Sequence, residues 1–136
     1  AVDAWFFQAL AGISSIKPGY EEILIRPPHD RLIHEACPSA EASLKTVRGP
    51  AWVRWKRVNV KRLELEVEVP VNSQALVCVP TLGAAPDECV IREGATEAWR
   101  AGTVRETIKG AFFERREPHY VVWRAGSGRY HFVVER

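Results

Sequence analysis

Between Lys61 and Pro80 the chain reads KRLELEVEVPVNSQALVCVP, and its apolar positions recur at every second residue. Leu63, Leu65, Val67 and Val69 alternate with Glu64, Glu66 and Glu68. That period marks a β-strand with one buried face and one charged, wet face. Pro70-Val71-Asn72-Ser73 interrupts it with turn chemistry, because Pro fixes φ and Asn tolerates left-handed backbone. A second apolar run, Ala75 to Val79, follows and is closed by Pro80. The pattern predicts an antiparallel pair joined by a tight connection. In the second run Leu76 and Cys78 are apolar opposite Ala75, Val77 and Val79, so both faces of that strand need cover.

The remaining pattern extends the β reading. Further strands are predicted at Glu22–Arg26, Ala42–Val47, Ala51–Arg57, Glu88–Glu93, Val104–Lys109, Phe112–Arg116, Tyr120–Arg124 and Arg129–Val134. Val58-Asn59-Val60 reads as a hairpin tip, and Gly126-Ser127-Gly128 as a hairpin turn. Residues 14–20 and 81–87 read as loops, 95–102 as turn or strand, and 29–39 as irregular with strand character at Leu32-Ile33-His34. The exception is the N-terminus, where Val2, Trp5, Phe6, Ala9, Leu10 and Ile13 fall at helical spacing and Gly12 suits a C-terminal cap. Short strands punctuated by Gly and Pro predict an all-β antiparallel sandwich, jelly-roll-like, preceded by one short helix. The helix has only Asp3 and Gln8 as polar members, so it calls for burial in a larger body.

Composition narrows the function classes. With 136 residues, one domain is the natural expectation. A net charge of +2, with basic residues scattered among acids, gives nucleic-acid binding no support. No apolar run reaches the roughly 18 residues of a membrane span. Ala9-Leu10-Ala11 resembles a cleavage triplet, but Asp3 stands where a signal peptide carries positive charge. Cys37, Cys78 and Cys89 show no CxxC spacing and cannot close a disulfide framework, which favours a reducing, cytoplasmic setting. The chain has no Met at all, not even an initiator, and reads as a piece of something longer.

Three stretches carry a family likeness. AVDAWFFQALAGI runs into PGYEEILIRP; WVRWKR is followed by RLELEVEVPVNSQALVCVP; and RAGSGRYHFVV closes the chain. In this order they resemble the C-terminal region of bacterial α-L-rhamnosidases, multi-domain glycoside hydrolases. Where many members have S-x-Y-G, this chain has Lys45-Thr46-Val47-Arg48-Gly49. The resemblance implies that residues 1–16 end a catalytic (α/α)6 barrel and that residues 17–136 form an accessory β-sandwich. It also implies inverting hydrolysis of terminal α-L-rhamnose by two carboxyl groups about 6.5–9.5 Å apart. Those carboxylates, and a rhamnose-binding histidine, lie in the barrel, and no residue here matches their motifs. No catalytic residue is therefore assigned to this chain.

Candidate chemistry within the chain is sparse. His29, His34, His119 and His131 lack metal-ligand spacing, so no metal or other cofactor is called for. Glu64, Glu66 and Glu68 on one strand face read as a solvated face rather than a cation site. His131 is placed pointing outward and Trp55 in the core. Of the five tryptophans, Trp52 and Trp99 are the candidates for stacking on a sugar. Trp5, Phe6, Leu10, Leu76 and Cys78 are the candidates for interdomain or self-association contacts. The partners expected are the parent's catalytic barrel, a rhamnose-containing glycan, or a second copy of the chain. Three functions stay open: a buttress for a catalytic barrel, a carbohydrate-binding module, and an oligomerisation domain.

Overall fold

The computed structural model describes residues 4–17 and 22–136, with side chains in the first segment described from Gln8 to Ile16. Helix α1 (Ala4–Ala11) leads into strands β1 (Ile13–Lys17) and β2 (Glu22–Ile25), and a short helix α2 (Arg31–Ala36) follows. Next come β3 (Ser39–Thr46), β4 (Gly49–Asn59), β5 (Arg62–Val69) and β6 (Gln74–Pro80). The last half holds β7 (Val90–Glu93), β8 (Thr96–Arg100), β9 (Thr103–Val104), β10 (Ala111–Arg116), β11 (Tyr120–Ala125) and β12 (Gly128–Glu135). One sheet has five strands in the order β1-β2-β6-β11-β10, the other seven in the order β3-β4-β5-β12-β7-β8-β9. This is the all-β sandwich with one N-terminal helix that the pattern predicts.

Strands β5 and β6 are not partners. β5 lies between β4 and β12, whereas β6 lies between β2 and β11 in the opposite sheet. Pro70–Ser73 therefore carries the chain from one sheet to the other. Gly126-Ser127 does the same between β11 and β12, so neither connection is the hairpin that a short Gly- or Pro-rich link suggests. The reason lies in the faces. β5 has one apolar face and suits a sheet whose outer side is wet, whereas β6 is apolar on both and suits a central place under cover. Hairpins do form at β3–β4, β4–β5, β7–β8 and β10–β11.

Two further expectations are corrected. Ser14–Lys17 is no loop: β1 pairs antiparallel with β2, Ile13 opposite Ile25. The boundary after residue 16 thus falls inside a strand. Leu32-Ile33-His34 is helical, because the Asp30 side chain accepts the Leu32 N–H and caps α2. Between the sheets, Trp55, Trp99, Trp123 and Phe132 are buried to 1% exposure or less. Trp123 meets Phe132 at 5.6 Å and Trp99 at 6.4 Å, spacings at which aromatic pairs add to simple burial.

Candidate interdomain joint and docking surfaces

Helix α1 and the sandwich are joined at Gly12. The Gly12 N–H donates to Gln8 O at 2.8 Å and closes the helix. Its φ of +86° is the left-handed turn that sends the chain into β1. Only glycine fits there, because a Cβ would lie 2.2 Å from Arg26 O. The Arg26 N–H in turn donates to Gly12 O at 2.6 Å. Two more bonds hold the helix: Trp55 Nε1 donates to Leu10 O at 3.2 Å, and Gln8 Nε2 donates to Ser43 O at 3.0 Å. Trp55 pairs with Ala40 across β3–β4, so stepping back from Leu10 to Gln8 moves along β3 from Ala40 toward Ser43. α1 thus runs antiparallel to β3, and it packs against β1 and β3, the first strand of each sheet. It fills the open side of the sandwich and buries Ala11 completely.

The candidate contact residues separate on this frame. Leu10 is half-buried at the joint. Trp5 and Phe6 lie in α1, with side chains outside the described residues. Leu76 and Cys78 belong to a second apolar cluster with Tyr120 and Val122, on the outer side of the five-stranded sheet. At 8% and 0% exposure they are already covered by this chain. Arg26 supplies much of the cover: its guanidinium lies 4.1 Å from the Tyr120 ring centroid and 3.0 Å from Glu117 Oε1. Burial raises the Cys78 thiol and pushes the Tyr120 phenol up to about 12. Burial would also raise Glu117, but hydrogen bonds from Arg115 and Arg26 outweigh it and hold that carboxyl below its usual range. The absent partner that the doubly apolar β6 called for is, on this face, the chain itself.

The two candidate sugar-stacking tryptophans also part. Trp99 is 1% exposed, with Nε1 donating to Pro86 O at 2.8 Å, so it is a core residue and no platform. The register slips where β8 meets β7, which leaves Ala98 extra and turns both Ala98 and Trp99 inward. Trp52 is half-buried on the outer side of the seven-stranded sheet, with Nε1 donating to Glu41 at 2.7 Å. It edges an open groove of about 520 Å³ shared with Arg54, Glu66, Arg129 and His131.

The carboxylates of that face are held by neighbouring basic side chains. Arg54 bonds both oxygens of Glu66, at 2.9 and 2.8 Å. Arg129 reaches Glu68 at 2.5 Å, and His131, which points outward, meets Glu64 at 3.1 Å. His34 is the unforeseen member of the set. It is buried against Trp55, with Nε2 2.6 Å from Pro28 O and Nδ1 2.6 Å from Arg57 Nη1. Nδ1 therefore accepts and Nε2–H donates, and burial lowers the ring's affinity for a proton. Its role is to anchor α2 to β4. Among the described residues, no group of three or more His, Cys, Asp or Glu side chains could hold a metal ion.

Known proteins share this architecture. The family described as the bacterial alpha-L-rhamnosidase C-terminal domain matches residues 12–89. The match begins at Gly12, where helix gives way to sandwich. An alpha-L-rhamnosidase of Streptomyces avermitilis is 27% identical over 134 residues, 98% of this chain and 11% of that protein. One from Formosa agariphila is 33% identical over 81 residues, 60% of this chain and 8% of that protein. The solved alpha-L-rhamnosidase from Dictyoglumus thermophilum superposes with a TM-score of 0.72 at 28% identity, over 99% of this chain and 13% of that one. The Streptomyces avermitilis enzyme, solved with L-rhamnose, gives 0.65 at 25%, over 95% of this chain and 10% of that one. This chain thus spans only a small part of the length of each protein it resembles. It belongs to the family of bacterial α-L-rhamnosidase C-terminal domains.

Proposed function

We propose that the chain is the non-catalytic C-terminal sandwich of an α-L-rhamnosidase, and that it packs on and steadies a catalytic barrel whose last helix is α1. The observation that carries this reading is the joint. A helix lying outside the family match is fastened to the sandwich by Gly12, by Trp55 and by Gln8. Force on such a helix is passed to the sheets rather than absorbed by a linker. The carboxylates of the outer faces that arginines hold in ion pairs, Glu117, Glu66 and Glu68, are in poor condition to act as a general acid and base.

Two measurements test it. The 136-residue chain should not hydrolyse an aryl α-L-rhamnoside; turnover would overturn the non-catalytic assignment. In the full-length parent, Gly12→Ala forces a left-handed non-glycine residue against Arg26 O and should cost about 2 kcal/mol or more. Calorimetry should then show the shared melting transition of barrel and sandwich dividing in two. The milder Gln8→Ala should lower that transition without dividing it.

A second reading, glycan binding, is favoured by Trp52 alone, set at the edge of a polar groove. Titration with a rhamnose-containing oligosaccharide should change tryptophan fluorescence in the wild type and not in Trp52→Ala. An identical response in both would remove the support.

A further inference from the structure

Two tight turns meet at one end of the sandwich, and each exposes a valine where turn chemistry favours a polar residue or glycine. Val47-Arg48 forms the two-residue loop between Thr46 and Gly49, a place usually held by Asn, Asp or Gly. Val71 precedes Asn72, whose φ of +56° and the Ser73 N–H to Pro70 O bond define a turn. Val47 is 90% exposed and Val71 65% exposed. A β-branched side chain gains nothing from such a turn, and single exposed valines are common enough to need no reason. These two are not isolated. The Arg48 guanidinium donates to Asn72 O and ties the turns together. Thr46 Oγ1 accepts from the Arg48 N–H and donates to Gly49 O, which stiffens the first turn.

The surroundings indicate what comes there. Between these turns and the β11–β12 link lies an open groove of about 420 Å³, lined among others by Pro50, Pro70 and Gly128. Its charged rim is Arg48, Glu68 and Arg129, which leaves an excess of positive charge: Arg129 is bonded to Glu68 with its side chain 85% exposed, and Arg48 makes no ion pair among the described residues. Because α1 runs antiparallel to β3, its first residues lie toward the β3–β4 turn, the end where Val47 stands. The start of α1 at Ala4 thus faces this end.

We propose that Val47 and Val71 form a docking knob for the domain preceding α1, which meets them with an apolar patch and answers Arg48 with a carboxylate. This rests on the reading of the chain as the C-terminal domain of a rhamnosidase, and it adds the face that the barrel takes. The opposite end is the competing site, since Leu32 and Val60 are also exposed there, at 66% and 59%.

The experiment uses the full-length parent enzyme in three forms, followed by calorimetry and by limited proteolysis at the junction. The pair Val47→Glu and Val71→Glu sits on exposed turns and leaves the sandwich fold intact. It should lower the shared transition by several degrees and speed cleavage several-fold. Leu32→Glu with Val60→Glu should do neither. If the second pair uncouples the domains and the first does not, the barrel docks at the α2 end and the proposal is wrong while the parent reading stands. If neither pair acts but Gly12→Ala does, coupling runs through α1 alone, and again only the docking knob fails. If none of the three acts, both readings fall together.

Discussion

The outer sides of the two sheets are built on opposite principles. On the seven-stranded sheet, Glu66 and Glu68 of β5 each meet an arginine from a neighbouring strand and Glu64 meets His131, and side chains there stay 31–85% exposed. On the five-stranded sheet, Leu76, Cys78, Tyr120 and Val122 are at most 8% exposed, under Arg26 and its Glu117 partner. The first face is wet, and water screens the ion pairs on it. The second is a small apolar core outside the main one, formed because β6 and β11 are apolar at both parities. A sandwich of this size thus gains burial beyond its two inner faces. It also means that this face of β6 is covered by the chain itself and offers no apolar docking surface.

Breaking that contrast most severely is Val122→Asp. Val122 is fully buried in the outer cluster, and an unpaired carboxylate there should cost about 3 kcal/mol or more. Urea denaturation of the chain should show a lower midpoint or no folded baseline. A loss below 1 kcal/mol would mean that the cluster opens readily to water.

Next is Arg26→Ala, which removes the Glu117 pair and the contact over Tyr120 together. A loss of about 1 kcal/mol is expected, since the Arg26 side chain is 39% exposed and water screens it. The same pair has a pH signature. Glu117 titrates lower when folded than when unfolded, so the unfolded chain takes up its proton first as pH falls. Its contribution is complete above the ordinary carboxylate range and is lost as pH falls through the folded value. Stability measured from pH 7 down to pH 3 should therefore fall less steeply in Arg26→Ala than in the wild type. Equal slopes would show that Arg26 does not hold Glu117 ionised.

The strand pattern made much of this legible and left specific parts dark. Alternation in Leu63–Val69 located β5 and its faces, and the parity of Leu76 and Cys78 showed that β6 is covered twice. Neither could name the partners, because strand pairing in a sandwich depends on which sheet the next strand joins, and a short turn serves both outcomes. Ser14 and Ser15 of β1 carry no apolar period of their own; they are strand because β2 offers an edge. Three consecutive apolar or aromatic residues concealed α2, although Asp30 was a visible cap. The burial of Trp99 rests on a bulge at Ala98 that no alternation rule registers. The joint was half readable: Gly12 announced the end of a helix, but not the approach of Arg26 that forbids any other residue.

The smallest expected effect belongs to the wet face and sharpens the contrast from the other side. Glu66 and Arg54 form the best-aligned pair there, with both carboxylate oxygens engaged. Side-chain exposures of 34% and 50% keep the pair in high dielectric. A double-mutant cycle on Arg54→Ala and Glu66→Ala should give a small coupling at low salt. Raising the ionic strength to 1 M shortens the screening length to about 3 Å and should remove most of it. Arg54 also sits 5.5 Å from the Trp52 ring, so Arg54→Ala should shift the emission of that tryptophan without a matching loss of stability. A large coupling that survives salt would show that this face is as tightly closed as the one across the sandwich, and the division between them would not hold.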